Sequence, residues 1–220
     1  MAHGLPAAGP TAAASTAATE FAGLLTSLAT VPEFRKPQGR LHPLPGVLAL
    51  VVLGLMGECR SLSAIRRFGR GHPEIVPALG LRGVPSVPTL SRVLAGVAPA
   101  AVREALRGFA RSVTAARNAS VAVVAMDGKT LRGVHEGAGP IHLLHLFAQE
   151  RALVLDQVTV GASKDEVRAA ERWITTLAAT FPGLRVLTAD ALYADRDLCA
   201  AIVAQEYAYR IRLKKPSSVC

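Results

Sequence analysis

The sequence predicts an α+β protein in two parts: an all-α basic helical module, then a mixed five-stranded sheet with helices. Three observations carry this prediction. Basic residues concentrate ahead of Asn118, the apolar spacing changes from helical to strand-like at Ser120, and seven regular elements run from Val121, three strands and then helix, strand, helix, strand. Helical and strand periods of 3.6 and 2 residues are the primary signal for such an assignment.

Composition narrows the classes further. The chain has 220 residues, 25 Lys+Arg against 16 Asp+Glu, and a net charge of +9. Half of it is hydrophobic, which excludes wholesale disorder, and aromatics are only 5%, so Ala, Val and Leu must build the core. Cys59, Cys199 and Cys220 are odd in number and far apart, which excludes a disulfide scaffold and fits a reduced, cytoplasmic setting. Up to Arg117 there are 13 basic and 5 acidic residues (+8); from Asn118 there are 12 and 11 (+1). Of the basic residues 20 are Arg, the side chain suited to forked phosphate contacts. A basic first part and a carboxylate-rich second part suggest a DNA-holding part and a chemical part.

Residues 1–28 are rich in Ala, Thr, Gly and Pro and read as a mobile leader ending in a short helix around Ala18–Leu28. They lack a basic start followed by an apolar run, so no secretory signal is expected. The helical, basic module spans 29–117. Its apolar run Gly46–Gly57 follows Pro43 and Pro45, residues that suit a helix start, and is shorter than the ~20 residues of a membrane span. No membrane contact is expected; membrane insertion of this run after the basic segment Arg35–Arg40 is the minority reading. Ser61 is an N-cap for a helix through Phe68, with Arg66, Arg67 and Arg70 on or near its end; Gly69, Gly71 and Pro73 are read as breaking it. Leu90, Val93, Leu94 and Val97 share one helical face after Pro85-Ser86, and Pro99 opens a further helix through Ala115. Four or five short Arg-bearing helices are compatible with a helix-turn-helix-like DNA-binding module, carrying Arg66, Arg67 and Arg92 as DNA contacts.

The second part spans 118–220. Val121–Met126 is an apolar run of strand length, Ile141–Phe147 and Ala152–Val160 are a second and third, and the break at Ala148–Arg151 is short enough for an antiparallel hairpin. Asp165–Thr180 is an amphipathic helix with Val167, Ala170, Trp173, Ile174 and Leu177 on one face. Arg185–Ala189 is a fourth strand, Asp195–Glu206 a helix capped by Asp195, and Tyr207–Leu213 a fifth strand. Three antiparallel strands followed by helical crossovers to further strands is the ribonuclease-H-like plan.

Met126-Asp127-Gly128-Lys129-Thr130 invites a phosphate-loop reading, but Val123 stands where that motif needs Gly and no helix follows. The stronger pair is Asp127 with Asp190, each directly after a strand and 63 residues apart. The plan makes those strands central neighbours and brings the carboxylates together. Two such carboxylates repel unless a cation lies between them, and hard divalent ions such as Mg²⁺ bind through carboxylates, water and phosphate. Lys129 shares a strand face with Asp127 and is either a phosphate contact or a solvated lysine. Arg132, on the opposite parity or in the loop, has the weaker claim to a phosphate. His142 and His145 at i and i+3 on a strand face opposite sides, so no zinc pair follows. Trp173 is core.

The stretch Pro32–Lys215 resembles the ISAs1-type transposases, which include the H-repeat-associated proteins and belong to the DDE class with a ribonuclease-H-like core. The residues that carry the resemblance are Arg40–Leu44, Arg60–Ile65, Pro85-Ser86 with Thr89–Leu94, Met126–Gly133, His142–Leu144 and Thr188–Leu192; Asp127-Gly128-Lys129-Thr130-Leu131-Arg132-Gly133 is the most specific. The resemblance implies that Asp127 and Asp190 are the first two members of an acidic triad holding Mg²⁺ (or Mn²⁺) for DNA strand cleavage and transfer. It implies insertion-element ends and target DNA as partners; a homodimer is left open. Glu166, where the family shows an Asn-Glu pair and this chain Asp165-Glu166, is either a third metal ligand or a first-turn acid favoured by the helix dipole.

Departures concentrate late in the chain. Tyr193 stands where the family usually has His, and Arg212–Cys220 replaces a Val-Lys-Gly-Asn-Gln-Pro pattern and its long continuation. The expectation is a C-terminally truncated copy, its core incomplete and its cleavage impaired for want of the last Glu. The alternative is a non-catalytic DNA-binding remnant of an insertion element.

Overall fold

A computed structural model gives the structure for residues 12–116, 122–131, 141–149, 153–160 and 166–213. The chain divides into two compact units at Phe109/Ala110.

The first unit is helical: α1 (Ala12–Leu28), α2 (Leu44–Met56), α3 (Leu62–Gly71), α4 (Ile75–Ala78), α5 (Val87–Gly96), and the start of α6 (Pro99–Ala116). Local chemistry sets the helix starts. Ser61 Oγ accepts the Ala64 amide at 3.1 Å to cap α3, and Ser86 Oγ accepts that of Thr89 at 3.3 Å to cap α5, satisfying amides that lack intrahelical partners. Pro45 lies in the first turn of α2, where its missing N–H costs nothing. Helix α2 is the centre of the bundle: it packs on α1, α3 and α5, and Val47, Ala49 and Leu50 are wholly buried. Among the described residues one stretch, Pro37–Met56, meets the length and apolar composition of a membrane span, and half of it is buried inside the protein. Helix α1 starts ahead of the expected Ala18 and contributes Leu24 and Leu28 to the same core; Met1–Thr11 of the leader lie outside the described residues.

The expected stop of α3 at Phe68 is corrected to Gly71. A Cβ on Gly69 would lie 3.1 Å from Val84 and 3.2 Å from Leu50, so this glycine lets neighbouring side chains close onto the helix instead of ending it.

The second unit holds one five-stranded sheet in the order β3-β2-β1-β4-β5. Its strands are β1 (Val123–Leu131), β2 (Ile141–Ala148), β3 (Leu153–Val160), β4 (Val186–Ala189) and β5 (Ala208–Ile211). Strands β1, β2 and β3 pair antiparallel; β4 pairs parallel with β1 and β5 parallel with β4. Helices α7 (Glu166–Thr180) and α8 (Arg196–Ala204) make the crossovers that the parallel pairings require. This is the α+β, ribonuclease-H-like arrangement that the element order predicts. Alternation along the strands puts Val124, Met126, Leu144, Leu146 and Leu187 in one core with Ala170, Trp173, Ile174 and Leu177 of α7 and Leu198 and Ile202 of α8. Asp195 caps α8 as expected, its Oδ1 accepting the amides of Asp197 at 3.0 Å and Leu198 at 3.1 Å.

One boundary in the sheet is corrected. Strand β1 does not end at Met126: Asp127, Gly128, Lys129, Thr130 and Leu131 all pair with β2, from Asp127↔His145 to Leu131↔Ile141. The Gly-Lys-Thr sequence is therefore extended backbone inside a sheet, which excludes a phosphate loop.

Gly46 offers a test of the helical packing. A Cβ there would collide with the Leu79 carbonyl oxygen and lie 3.0 Å from Leu81. Gly46→Ala is expected to destabilise the protein by about 1–3 kcal/mol, as overpacking typically does, read from the urea midpoint at unchanged m-value. A variant as stable as the parent would contradict this packing.

Candidate active site

The parallel register of β1 and β4 builds the centre of the site. Met126 pairs with Ala189, so Asp127 and Asp190 are the next positions on neighbouring strands, at the same level. Strands so paired run ~5 Å apart. Asp190 lies just past β4 with extended backbone, and its Oδ1 accepts the Leu192 amide at 2.9 Å, which starts the 3₁₀ turn Ala191–Tyr193.

Around this pair the sheet sorts its residues by face. Asp127 and Lys129 share one face, and Lys129 Nζ lies 2.7 Å from Asp127 Oδ2 in an exposed ion pair that holds the ammonium charged. His145, opposite Asp127 on β2, shares that face. His142 sits on the other parity, with its Nδ1 3.1 Å from Thr130 Oγ1, so the two histidines do not converge.

Gly128 faces the opposite way, toward the start of α7. Its missing Cβ leaves the space that the Glu166 carboxylate fills; a Cβ would collide with Glu166 Oε1 and lie 2.9 Å from the Tyr193 hydroxyl. Glu166 is buried, the first residue of α7, and Tyr193 donates its hydroxyl to Glu166 Oε1 at 2.5 Å. The Tyr193 hydroxyl is held protonated far above its usual range, first by burial, then by the bond to Glu166, with the charges of Asp190 and Asp127 adding to it. All three carboxylates thus act on one buried phenol.

A second buried acid, Asp156 on β3, serves the core. Its Oδ2 accepts the Trp173 indole N–H at 3.1 Å and its Oδ1 the Gln157 amide at 2.8 Å. Trp173 is core as read, with its polar edge satisfied.

The donor chemistry suits a hard divalent cation: oxygen-only ligands on adjacent strands, with a third carboxylate seated in a cradle that any side chain at 128 would fill. Among the described residues no three His, Cys, Asp or Glu side chains are drawn together as a ready-made metal cluster. Asp127 and Asp190 would supply ligation from the two strands and Glu166 from α7, completed by water and phosphate.

The other sequence candidates separate. Arg66 and Arg67 lie on α3 and Arg92 on α5, two helices in mutual contact within the first unit. Arg67 and Arg92 are exposed, Arg92 Nε donating to the Pro88 carbonyl at 3.2 Å; Arg66 is half-buried and its Nε has no hydrogen-bond partner. Arg132 lies outside the described residues, as does Asp165. Sequence reasoning missed the roles of Gly128 and Tyr193. The available signal was a glycine inside a strand, which often marks a close approach of other atoms to the backbone.

His145 supplies a titration test. Burial lowers its pKa below the ordinary 6.5, the Asp127 charge raises it, and Lys129 lowers it, with burial the largest. A base with a depressed folded pKa contributes stability that is present above its unfolded pKa and is lost as pH falls from there through the folded pKa. NMR of the imidazole is expected to give a midpoint below 6.5, moving lower still in Asp127→Asn. An upward shift in that variant would contradict the arrangement.

Residues 25–110 match the model of the DDE_Tnp_1-associated domain. The chain is 26% identical over 200 residues to "Putative protein YbfL" of Escherichia coli strain K12, covering 89% of this chain and 52% of that protein. It is 24% identical over 200 residues to "H repeat-associated putative transposase YhhI" of the same strain, with the same coverage of 89% and 52%. The chain thus spans about half the length of these curated relatives. A cryo-EM structure of the piggyBac transposase synaptic complex with hairpin DNA aligns with a TM-score of 0.38 at 11% identity, covering 91% of this chain and 49% of that one. By its family-domain match and these relatives, the chain is similar to DDE-type transposases.

Proposed function

We propose that the second unit is the strand-cleavage and strand-transfer core of a DNA transposase of the ISAs1 type, with Asp127, Asp190 and Glu166 holding Mg²⁺ or Mn²⁺. The observation that carries the reading is the Met126↔Ala189 pairing, which brings Asp127 and Asp190 to one level of two adjacent strands. A divalent ion bound there would offset charge developing on the attacking and leaving oxygens of an in-line displacement. The protein's own residues do the rest. Asp127 within β1 and Asp190 just past β4 supply fixed negative charge, and Glu166 supplies a third from α7. Lys129, now paired with Asp127, is free in reach to exchange that partner for a DNA phosphate. Arg132 is a second phosphate contact. In the helical unit, Arg66, Arg67 and Arg92 contact DNA at element ends or target, largely through backbone phosphates.

A second reading is favoured by the Asp127–Lys129 pair and by the want of a ready-made three-acid cluster among the described residues. In it the chain binds DNA without cutting it.

The two readings separate in one assay. With Mn²⁺ and supercoiled DNA, the catalytic reading expects nicking that Asp127→Asn and Asp190→Asn each reduce at least ~100-fold, while DNA affinity stays the same. Nicking unchanged by either substitution contradicts it, and salt-dependent binding without any nicking supports the second reading. Arg67→Ala is expected to weaken DNA binding similarly across sequences and to reduce the slope of log affinity against log salt by about 1. An unchanged slope would remove Arg67 from the interface.

A further inference from the structure

We infer that Tyr193 is a positioning residue for the cation site, acting through Glu166, and that Gly128 is the vacancy that makes its action effective. The inference rests on the proposed cation site and adds what fixes its third carboxylate. Glu166 stands at the first position of α7, where a glutamate side chain exposed to water would sample several rotamers. Here it is buried, and three features restrict it. Its backbone is held at a helix start, its Oε1 accepts the Tyr193 hydroxyl at 2.5 Å, and its carboxylate occupies the space beside β1 where residue 128 has no side chain.

Tyr193 is itself immobile. It is 1% exposed and belongs to the hydrophobic core formed by the sheet, α7 and α8. Its position in the chain is set by Asp190, whose side chain accepts the Leu192 amide and so opens the 3₁₀ turn that ends at Tyr193. One short segment therefore carries a site carboxylate, Asp190, and the residue that orients another, Glu166. The turn couples the strand-end acid to the helix-start acid through a single buried hydroxyl. A residue that fixes a ligating carboxylate by a hydrogen bond typically changes metal affinity by 10–100-fold when the bond is removed. Loss of the Tyr193 hydroxyl leaves Glu166 buried beside Gly128 with one donor fewer, and a carboxylate in that state is less well aimed as a ligand.

The test is Mn²⁺ binding to the full chain, read as free Mn²⁺ by electron paramagnetic resonance, without DNA and without any activity. Tyr193→Phe is expected to raise the dissociation constant about 10-fold or more, measured at a temperature where the variant is fully folded, and to lower the unfolding midpoint without metal, since a buried carboxylate loses a donor. In a Glu166→Gln background, Tyr193→Phe is expected to have no further effect, because both substitutions then remove the same interaction. Wild-type affinity in Tyr193→Phe overturns the inference, and so do effects that multiply in the double variant. Should Tyr193→Phe fail to fold, Gly128→Ala serves instead: its Cβ takes the space of the Glu166 carboxylate and lies 2.9 Å from the Tyr193 hydroxyl, so it disrupts the same contact from the β1 side; it is expected to weaken Mn²⁺ similarly, while unchanged affinity overturns the coupling. Asp127→Asn separates this inference from the reading beneath it. If Asp127→Asn leaves Mn²⁺ binding intact, the cation site itself is wrong; if it weakens binding and Tyr193→Phe does not, only the role of Tyr193 is wrong.

Discussion

The structure of the second unit depends on one pairing, the parallel register of β1 against β4. Val123↔Val186 through Met126↔Ala189 fixes the middle of the sheet and sets the level at which Asp127 within β1 and Asp190 past β4 stand side by side. Everything proposed for the site follows from it. A slip of one residue would turn Asp190 toward the opposite face from Asp127 and leave two unrelated exposed acids. The pairing is secured by burial on its inner face, where Val124, Met126 and Leu187 lock against α7 and α8. Holding two carboxylates at one level is electrostatically unfavourable without a counter-charge. In the structure Lys129 provides one, at 2.7 Å from Asp127. An exposed pair of this kind is worth little to stability, so a cation or a phosphate can take either partner at small cost.

The two units divide the physical work. The helical unit carries most of the net charge and places Arg66, Arg67 and Arg92 on two contacting helices around a core of Leu and Val. Charge there costs little, since arginine stems cover apolar surface while their heads remain hydrated. The sheet unit keeps nearly balanced charge and places Asp127 and Asp156 within strands, Asp190 just past one, and Glu166 and Asp195 at helix starts. Two of these acids are buried with partners, Asp156 by the Trp173 indole and Glu166 by Tyr193. The first ties β3 to α7 as a structural bond. The second ties α7 to the turn after β4, beside the carboxylate pair.

Much of this was legible in the residues. Ser61 and Asp195 announced helix starts because their side chains cap backbone amides locally, and the period change at Ser120 announced the sheet because burial on one face imposes alternation. Besides the early start of α1, two boundaries were misread, and glycine was responsible for both. Gly69 looked like a helix stop and Gly128 like the turn after a strand. Each instead makes room for atoms distant in sequence, Leu50 and Val84 in one case and Glu166 in the other. A glycine that permits a turn and one that permits close approach have the same local signature, so only the packed structure separates them. Tyr193 was hidden for a related reason. By sequence it is a departure from a family pattern, and its partner Glu166 lies 27 residues away.

The central claim is that Asp127 and Asp190 share one cation between adjacent strands. Paramagnetic broadening by Mn²⁺ tests it most directly. In the amide spectrum of the full chain, substoichiometric Mn²⁺ is predicted to broaden first the resonances of Asp127, Gly128, Asp190 and Ala191, together. Broadening confined to one of the two strand ends, or centred elsewhere in the protein, would contradict the account.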